Sequence, residues 1–423
     1  RFFMSQIEAT NQSTWRSKIK AMGPGILMAS AAVGGSHIVS STQAGASYGW
    51  ALLGLVILAN VFKYPFFRFG AEYTADTGKT LVEGYAKKGK FYLWVFFILN
   101  VFSALVNTAG VSILCSAIIA SAFPMLGLSI TTWSIILVAI IWGMLLFGGY
   151  KFLDGMAKWI MSALTIATVA AVVIAAIKHP EYRADFVEKS PWQLVTLPFI
   201  VSLLGWMPAP IEISAINSLW SAEKKKTVDF NSEDALFDFN VGYIGAAILA
   251  VFFVALGALI QYPTGKPVEA ASAKYIAQFV DMYASVLGDW SRYLITFIAF
   301  LCIFGTVITV IDGYSRVNET SLRLLFNKED SNESPLKVWM TLTSILGLII
   351  IFFFQGQVAI MLRFAMIGSF LTTPFFALLN YVLVTNEKKN LPTWLKGLAI
   401  AGLIFLFGFA IFFIWALAIG KAG

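Results

Sequence analysis

The sequence is short of charge. Asp, Glu, Lys and Arg make up 13% of its 423 residues, about half the share usual in a soluble protein. A soluble domain must face water over its whole surface, and a chain that is 58% hydrophobic has too few polar groups to do so. With a mean hydropathy of +0.78, lipid is its natural solvent. Cysteine is nearly absent too. Cys115 and Cys302 are the only two, and both sit in apolar runs. They read as small core residues, not as a disulfide pair or a metal site. Of the two histidines, only His37 falls in an apolar run; His179 lies in a loop. The chain has no intramembrane His-Glu-x-x-His, no Gly-x-Ser-x-Gly elbow and no paired aspartates, so an intramembrane enzyme is not expected. It has no phosphate loop of a nucleotide-driven pump and no repeated selectivity filter of a channel. No cofactor is expected. From Phe91 to Phe152 there is not one Asp or Glu.

Long apolar runs are abundant. A membrane span needs about 20 mostly apolar residues. Eleven stretches qualify: 24–46, 49–71, 92–122, 132–149, 156–178, 193–219, 240–262, 291–314, 338–354, 358–384 and 394–419. Of the 30 Lys and Arg, twenty fall on the side of the N-terminus and seven on the other, while Lys63, Arg68 and Arg363 fall within spans. This asymmetry places the N-terminus in the cytoplasm and the tail after Trp415 outside. The net charge of +7 is spread over short loops, which points to lipid headgroups and away from nucleic acid. The longest polar stretches, Glu223–Asn240, Thr264–Asp289 and Asn327–Ser334, read as loops. The expectation is therefore a single multi-pass domain of the cell (inner) membrane, an all-α membrane protein acting as a monomer.

Two spans are interrupted by Gly or Pro, where freed backbone groups can face a solute. Span one contains Gly34-Gly35-Ser36-His37, followed by Ser40, Ser41 and Thr42. Span six contains Met207-Pro208-Ala209-Pro210, followed by Glu212. The interruptions are five spans apart, as in a 5+5 inverted repeat with broken helices 1 and 6. The repeats would cover about 24–178 and 193–384, with an extra helix at about 394–419.

The order of motifs resembles the NRAMP family of proton-coupled divalent-metal transporters, whose fold is LeuT-like. Gly23-Pro24-Gly25 precedes span one, and Thr42–Gly49 resembles the end of that span in the family. Tyr150–Asp154 resembles the start of span four, Met207-Pro208 part of the Met-Pro-His of span six, Ile311–Tyr314 the end of span eight, and Gln357-Val358 with Arg363 span ten. The departures are informative. The family's metal-ligating Asp-Pro-Gly-Asn aligns with Gly34-Gly35-Ser36-His37, and its span-six His aligns with Ala209. Of the usual metal ligands only Met207 remains, and a lone thioether suits a hard cation poorly. Arg363 stands where the family often has a Gln facing the substrate.

The resemblance implies a secondary-active transporter. One branch of the family handles magnesium, and another is thought to carry iron as its citrate complex. The missing carboxylate and the added guanidinium favour a carboxylate-bearing solute, which the fork of Arg363 would fit. The leading expectation is thus proton-coupled uptake of a metal chelate such as iron citrate. The alternatives are a free divalent ion (Mg²⁺, Mn²⁺ or Fe²⁺) and an amino or organic acid. The expected substrate-binding residues are Gly34, Gly35, Ser36, His37, Ser40, Met207, Ala209 and Arg363. His37 and Glu212 are the expected proton carriers. For Arg363 a structural pair with Glu212 or Asp312 is the competing reading. Arg68 and Glu72, and likewise Asp312 and Arg316, have the i, i+4 spacing of local pairs. Lys63, Arg68 and Glu72 are expected to lie in the cytoplasmic half of span two, the stems of Arg68 and Glu72 reaching toward the interface.

Overall fold

The computed structural model describes residues 14–148, 151–178, 182–184, 186–328, 334–387 and 391–421, with the backbone alone for 151–158. Arg1, Tyr150, His179, Lys388 and Lys389 lie outside the described residues, as do the side chains of Lys151, Asp154 and Lys158. Among the described residues the regular structure is entirely helical. The described residues form sixteen α-helices: α1 Trp15–Ala21, α2 Pro24–Ala32, α3 Thr42–Tyr48, α4 Leu53–Thr77, α5 Leu81–Lys88, α6 Lys90–Ala122, α7 Ile130–Leu146, α8 Lys151–Ile177, α9 Leu197–Trp206, α10 Ile213–Lys225, α11 Ser232–Leu256, α12 Ala273–Leu287, α13 Ser291–Leu325, α14 Ser334–Phe353, α15 Val358–Glu387 and α16 Thr393–Ala418. Eight helical stretches among the described residues are long and apolar enough to cross a membrane, and Ile130–Leu146 and Leu194–Trp206 are shorter apolar helices.

The long helix α6 packs against both α13 and α15 at the centre of the bundle, while α4 lies along α10 and α11. Local chemistry explains the ends. The N–H groups of Gly23 and Gly25 donate to the two carboxylate oxygens of Asp238 on α11, at 2.9 and 2.6 Å. They belong to the unsatisfied first turn of α2, so the Gly-Pro-Gly sequence docks that helix start onto α11. Helix α5 starts with a reciprocal cap between Thr80 and Glu83.

Interruptions fall where Gly and Pro predict them. Span one is α2, a bend at Val33 and Gly34, a π-helical segment Ser36–Ser41, and α3. A second π segment, Gly257–Gln261, ends α11; such widened turns often accompany functional sites. Span six divides into α9 and α10, joined by 207–212, with a cis peptide between Met207 and Pro208.

Two of the expected polar loops are partly helical. Helix α11 already starts at Ser232, within the stretch read as a loop to Asn240. Helix α12 occupies much of Thr264–Asp289 and buries Tyr275, Ile276, Phe279, Val280 and Tyr283. Its spacing of apolar residues is that of a helix with one buried face, too short to register in a search for membrane-length runs. Tyr275 donates to the carbonyl of Ile38 at 2.6 Å, so α12 is tied to the π segment of span one.

Candidate substrate site at two facing helix breaks

The breaks of spans one and six meet. The Ser36 hydroxyl lies 3.2 Å from the carbonyl oxygen of Pro208 and 2.7 Å from that of Ala32. Between them is a cavity of about 30 Å³, lined among others by Gly35, Ser36, Asn107, Trp206, Ala209 and Tyr314. That volume is enough for one or two water-sized occupants. Gly35 is required by this packing: a Cβ there would lie 2.5 Å from the Trp206 ring. The ring cannot easily withdraw, because its Nε1–H donates to Asn107 Oδ1 at 2.9 Å and to Ser369 Oγ at 3.2 Å. Gly205 does the same for the neighbouring contact, since its Cβ would meet the carbonyl oxygen of Met366 on α15 at 2.0 Å.

Behind the cavity wall lies a buried polar network. Asn107 on α6 donates through Nδ2 to Tyr314 Oη at 2.9 Å and to Glu212 Oε1 at 3.3 Å, and Tyr314 donates to the same Oε1 at 3.0 Å. Glu212 is buried. Its Oε2 makes no hydrogen bond within normal geometry among the described residues, although the Ser103 hydroxyl is near enough to act on the carboxylate. Glu212 immediately precedes α10, so its charge faces the positive end of that half-helix.

The opposite half-break carries a cation. Pro208 has no N–H and cannot donate to the carbonyl of Leu204, four residues back, and Pro210 cannot donate to Trp206. Lys63 of α4, fully buried, takes over. Its Nζ donates to the carbonyl oxygens of Leu204, Gly205 and Ala209 at 2.7, 3.1 and 3.3 Å. The sequence places Lys63 only in the cytoplasmic half of span two; the carbonyls of Leu204 and Gly205 at the end of α9, and of Ala209 in the joining segment, draw its amine into the bundle.

The structure sorts the sequence-predicted residues into three groups. Gly35, Ser36 and Ala209 line the cavity. Gly34, His37, Ser40 and Met207 are buried beside it. A Cβ at Gly34 would be 3.1 Å from Thr306 Oγ1, Ser40 donates to the sulfur of Met366 at 3.5 Å, and His37 bridges Ser36 Oγ (2.7 Å from Nδ1) and the carbonyl of Ala246 (2.9 Å from Nε2). Arg363 stands apart. It is exposed on α15 and is not among the cavity residues. Neither structural partner foreseen for it takes that role, since Asp312 pairs with Arg316 at 2.8 Å and Glu212 serves Tyr314 and Asn107. The reason is helical phase: Met361, Leu362, Ala365 and Met366 occupy the buried stripe of α15, and position 363 falls off it. The Arg68–Glu72 pair forms at 2.6 Å. Cys115 and Cys302 are free and buried. Among the described residues no three His, Cys, Asp or Glu side chains come together as a metal cluster would require. Sequence reasoning missed Lys63, Asn107, Trp206 and Tyr314. The signals were there: a lysine deep in an apolar run, an asparagine in a span without acids, and a proline pair that strips two carbonyls of their donors.

A helical bundle with a small cavity between two interrupted spans fits the architecture of a secondary transporter. The family model for natural resistance-associated macrophage protein-like (Nramp) proteins matches residues 25–416, and the chain belongs to that family, a family of membrane transporters of metal ions. Protein PM0681 of Pasteurella multocida (strain Pm70) is 53% identical over 406 residues, which is 95% of this chain and 94% of that protein. The divalent metal cation transporter MntH of Listeria welshimeri is 24% identical over 280 residues, 60% of this chain and 58% of that one. The crystal structure of a mutant of the Eremococcus coleocola manganese transporter superposes with a TM-score of 0.68 at 14% identity, covering 95% of this chain and 87% of that one. Mhp1, a nucleobase-cation-symport-1 family transporter in a closed conformation, superposes with a TM-score of 0.59 at 14% identity, covering 94% and 92%. The fold is thus shared with transporters of different solutes.

Proposed function

We propose that the protein carries a small metal ion, bound at the cavity between Ser36 and Ala209, by alternating access. The observation that carries this reading is the meeting of the two helix breaks around a cavity of about 30 Å³. Room for one or two waters suits an ion that keeps part of its hydration shell; a citrate complex requires the site to open first. The chelate reading rested on a guanidinium at the site, and with Arg363 exposed on α15 that support falls away. Ser36, Asn107 and Tyr314 offer neutral oxygens of the kind hard cations accept, with Glu212 one residue behind them. Gly34, Gly35, His37, Ser40, Met207 and Ala209 shape the two breaks around the ion. In this reading eleven spans form two inverted repeats of five plus one helix, and the molecule works as a monomer in the inner membrane with its N-terminus in the cytoplasm.

The proton carriers in this reading are His37 and Glu212. Proton bookkeeping supports the first. Ser36 Oγ is 2.7 Å from both Ala32 O and His37 Nδ1, yet a hydroxyl has one proton. Nε2 must donate to the Ala246 carbonyl. A second proton on Nδ1 therefore completes both 2.7 Å contacts, and its loss leaves one of them without a hydrogen. The test is uptake of Mn²⁺ and of iron citrate into proteoliposomes with and without a proton gradient. Saturable uptake of free Mn²⁺ that His37→Ala makes insensitive to the gradient is the expected result. Uptake of iron citrate with no binding of free metal returns the chelate reading.

A further inference from the structure

In folds with interrupted helices, carbonyls at the C-terminal end of a half-helix are the groups that coordinate a coupled cation. Here those carbonyls are occupied by the protein itself. We propose that the Lys63 ammonium is a tethered cation, filling the carbonyl cage at the end of α9 that a free monovalent cation would otherwise take, and holding the break of span six in the shape that forms the cavity.

Three observations carry the inference. The first is donor count: an ammonium has three N–H donors, and Lys63 Nζ has three carbonyl partners, Leu204, Gly205 and Ala209. A neutral amine has two donors and a lone pair that would face the third oxygen. The second is origin: Pro208 removes the donor that a continuous helix would give to Leu204, so a cation has to satisfy that oxygen from outside the helix. The third is position: Ala209 lines the cavity and also gives its carbonyl to Lys63, so the cage and the cavity share a wall. Glu212, at the start of α10, is close enough to act electrostatically on Lys63. The Lys63 amine thus sits at the C-terminal end of α9 and the Glu212 carboxyl group at the start of α10, the ends whose dipoles favour a cation and an anion respectively.

Lys63 is on this reading a positioning residue. Its removal should leave a cage that accepts small cations. The unfolding midpoint of purified K63A is measured in N-methylglucamine chloride, whose cation is too bulky to enter, and in sodium, potassium and ethylammonium chlorides at equal ionic strength. The expected result is a lowered midpoint in N-methylglucamine, raised saturably by at least one small cation by about 3 °C or more, with the unaltered protein indifferent to the choice. K63M, whose side chain fills the same space without charge, should be lowered and should not respond. A K63A midpoint equal to that of the parent, a lowered midpoint that no small cation restores, or an equal response in K63M would each overturn the inference. Should K63A not be recovered folded, K63M and K63M/E212Q decide the matter: losing both buried charges should raise the midpoint above that of K63M alone, and an equal or lower midpoint refutes the tethered cation. The readout is stability, so the result does not depend on which metal the protein carries.

Discussion

Glu212→Gln tests whether the charges at the break are real. The substitution keeps shape and changes only charge and one donor. In the structure Oε1 accepts from Tyr314 at 3.0 Å and Asn107 at 3.3 Å, and a glutamine oxygen can keep both bonds. Three things are lost. Hydrogen bonds to a charged acceptor are about twice as strong as neutral ones. The carboxylate's interaction with the start of α10 contributes about 0.3–1 kcal/mol, and up to about 2 in partly buried sites. Third, the buried amine of Lys63 loses a carboxylate that acts on it electrostatically, although the two form no ion pair. The new amide N–H₂ takes the place of Oε2, beside the Ser103 hydroxyl. The weaker hydrogen bonds and the lost interaction with α10 set the expected cost at about 2–3 kcal/mol. At about 2 °C per kcal/mol for a large domain, that lowers the unfolding midpoint by about 4–6 °C. Thermal unfolding in detergent, followed by tryptophan fluorescence, reads this directly. A midpoint within about 1 °C of the parent would mean that Glu212 is already neutral when folded, and the picture of opposite charges at the two half-helices would be abandoned.

Three further outcomes follow from the same geometry. Gly35→Ala should abolish uptake, because its Cβ would fall 2.5 Å from Trp206 and displace a ring that also holds Asn107; uptake above half the parental rate would show that the break has slack. Arg363→Gln should leave metal uptake within about twofold, since single-residue changes on an exposed face away from partners are typically small; a tenfold loss in the proteoliposome assay would restore Arg363 to the site. A cysteine introduced beside Lys225 should react with an impermeant maleimide only from the cytoplasm and one beside Lys274 only from outside; labelling of both from one side would sink the eleven-span reading.

Much of the architecture was legible because the bilayer demands long apolar helices and tolerates breaks only where Gly and Pro permit them. The two interruptions were read from Gly34-Gly35 and Pro208-x-Pro210, and the local pairs from i, i+4 spacing. What escaped depended on phase and partner. Arg363 was placed at the site by alignment with a position in the family, but the apolar stripe of α15 puts it outside. Its neighbours 361, 362, 365 and 366 were the available signal. The role of Lys63 escaped because nothing on its own helix shows the carbonyls it meets at the break of span six. The Leu204 carbonyl becomes visible by asking which donor Pro208 removes, and even then the partner lies 141 residues away in the chain. Helix α12 was passed over because a membrane-length window averages away a short amphipathic pattern.

The arrangement of charge has a consequence for selectivity. The family's metal-ligating motif supplies a carboxylate in span one, where this chain has Gly34-Gly35-Ser36-His37. The break of span six holds the Glu212 carboxyl group at the start of α10 and the Lys63 amine at the end of α9. In the proposed reading an ion entering the cavity meets mainly neutral oxygens, those of Ser36, Asn107 and Tyr314. Hard divalent ions lose hydration reluctantly, and neutral oxygens compensate that loss less well than carboxylates. Such a site therefore selects by size and by how much water the ion keeps. The cavity beside Trp206 is small for the same reason: Gly35 lets the indole close over the break, and the ring's bonds to Asn107 and Ser369 hold it there. Width and charge are consequently set by one network, in which Asn107 touches both Trp206 and Glu212. In the proposed reading, a change in the protonation or bonding of Glu212 would be carried through Asn107 to the indole that bounds the cavity.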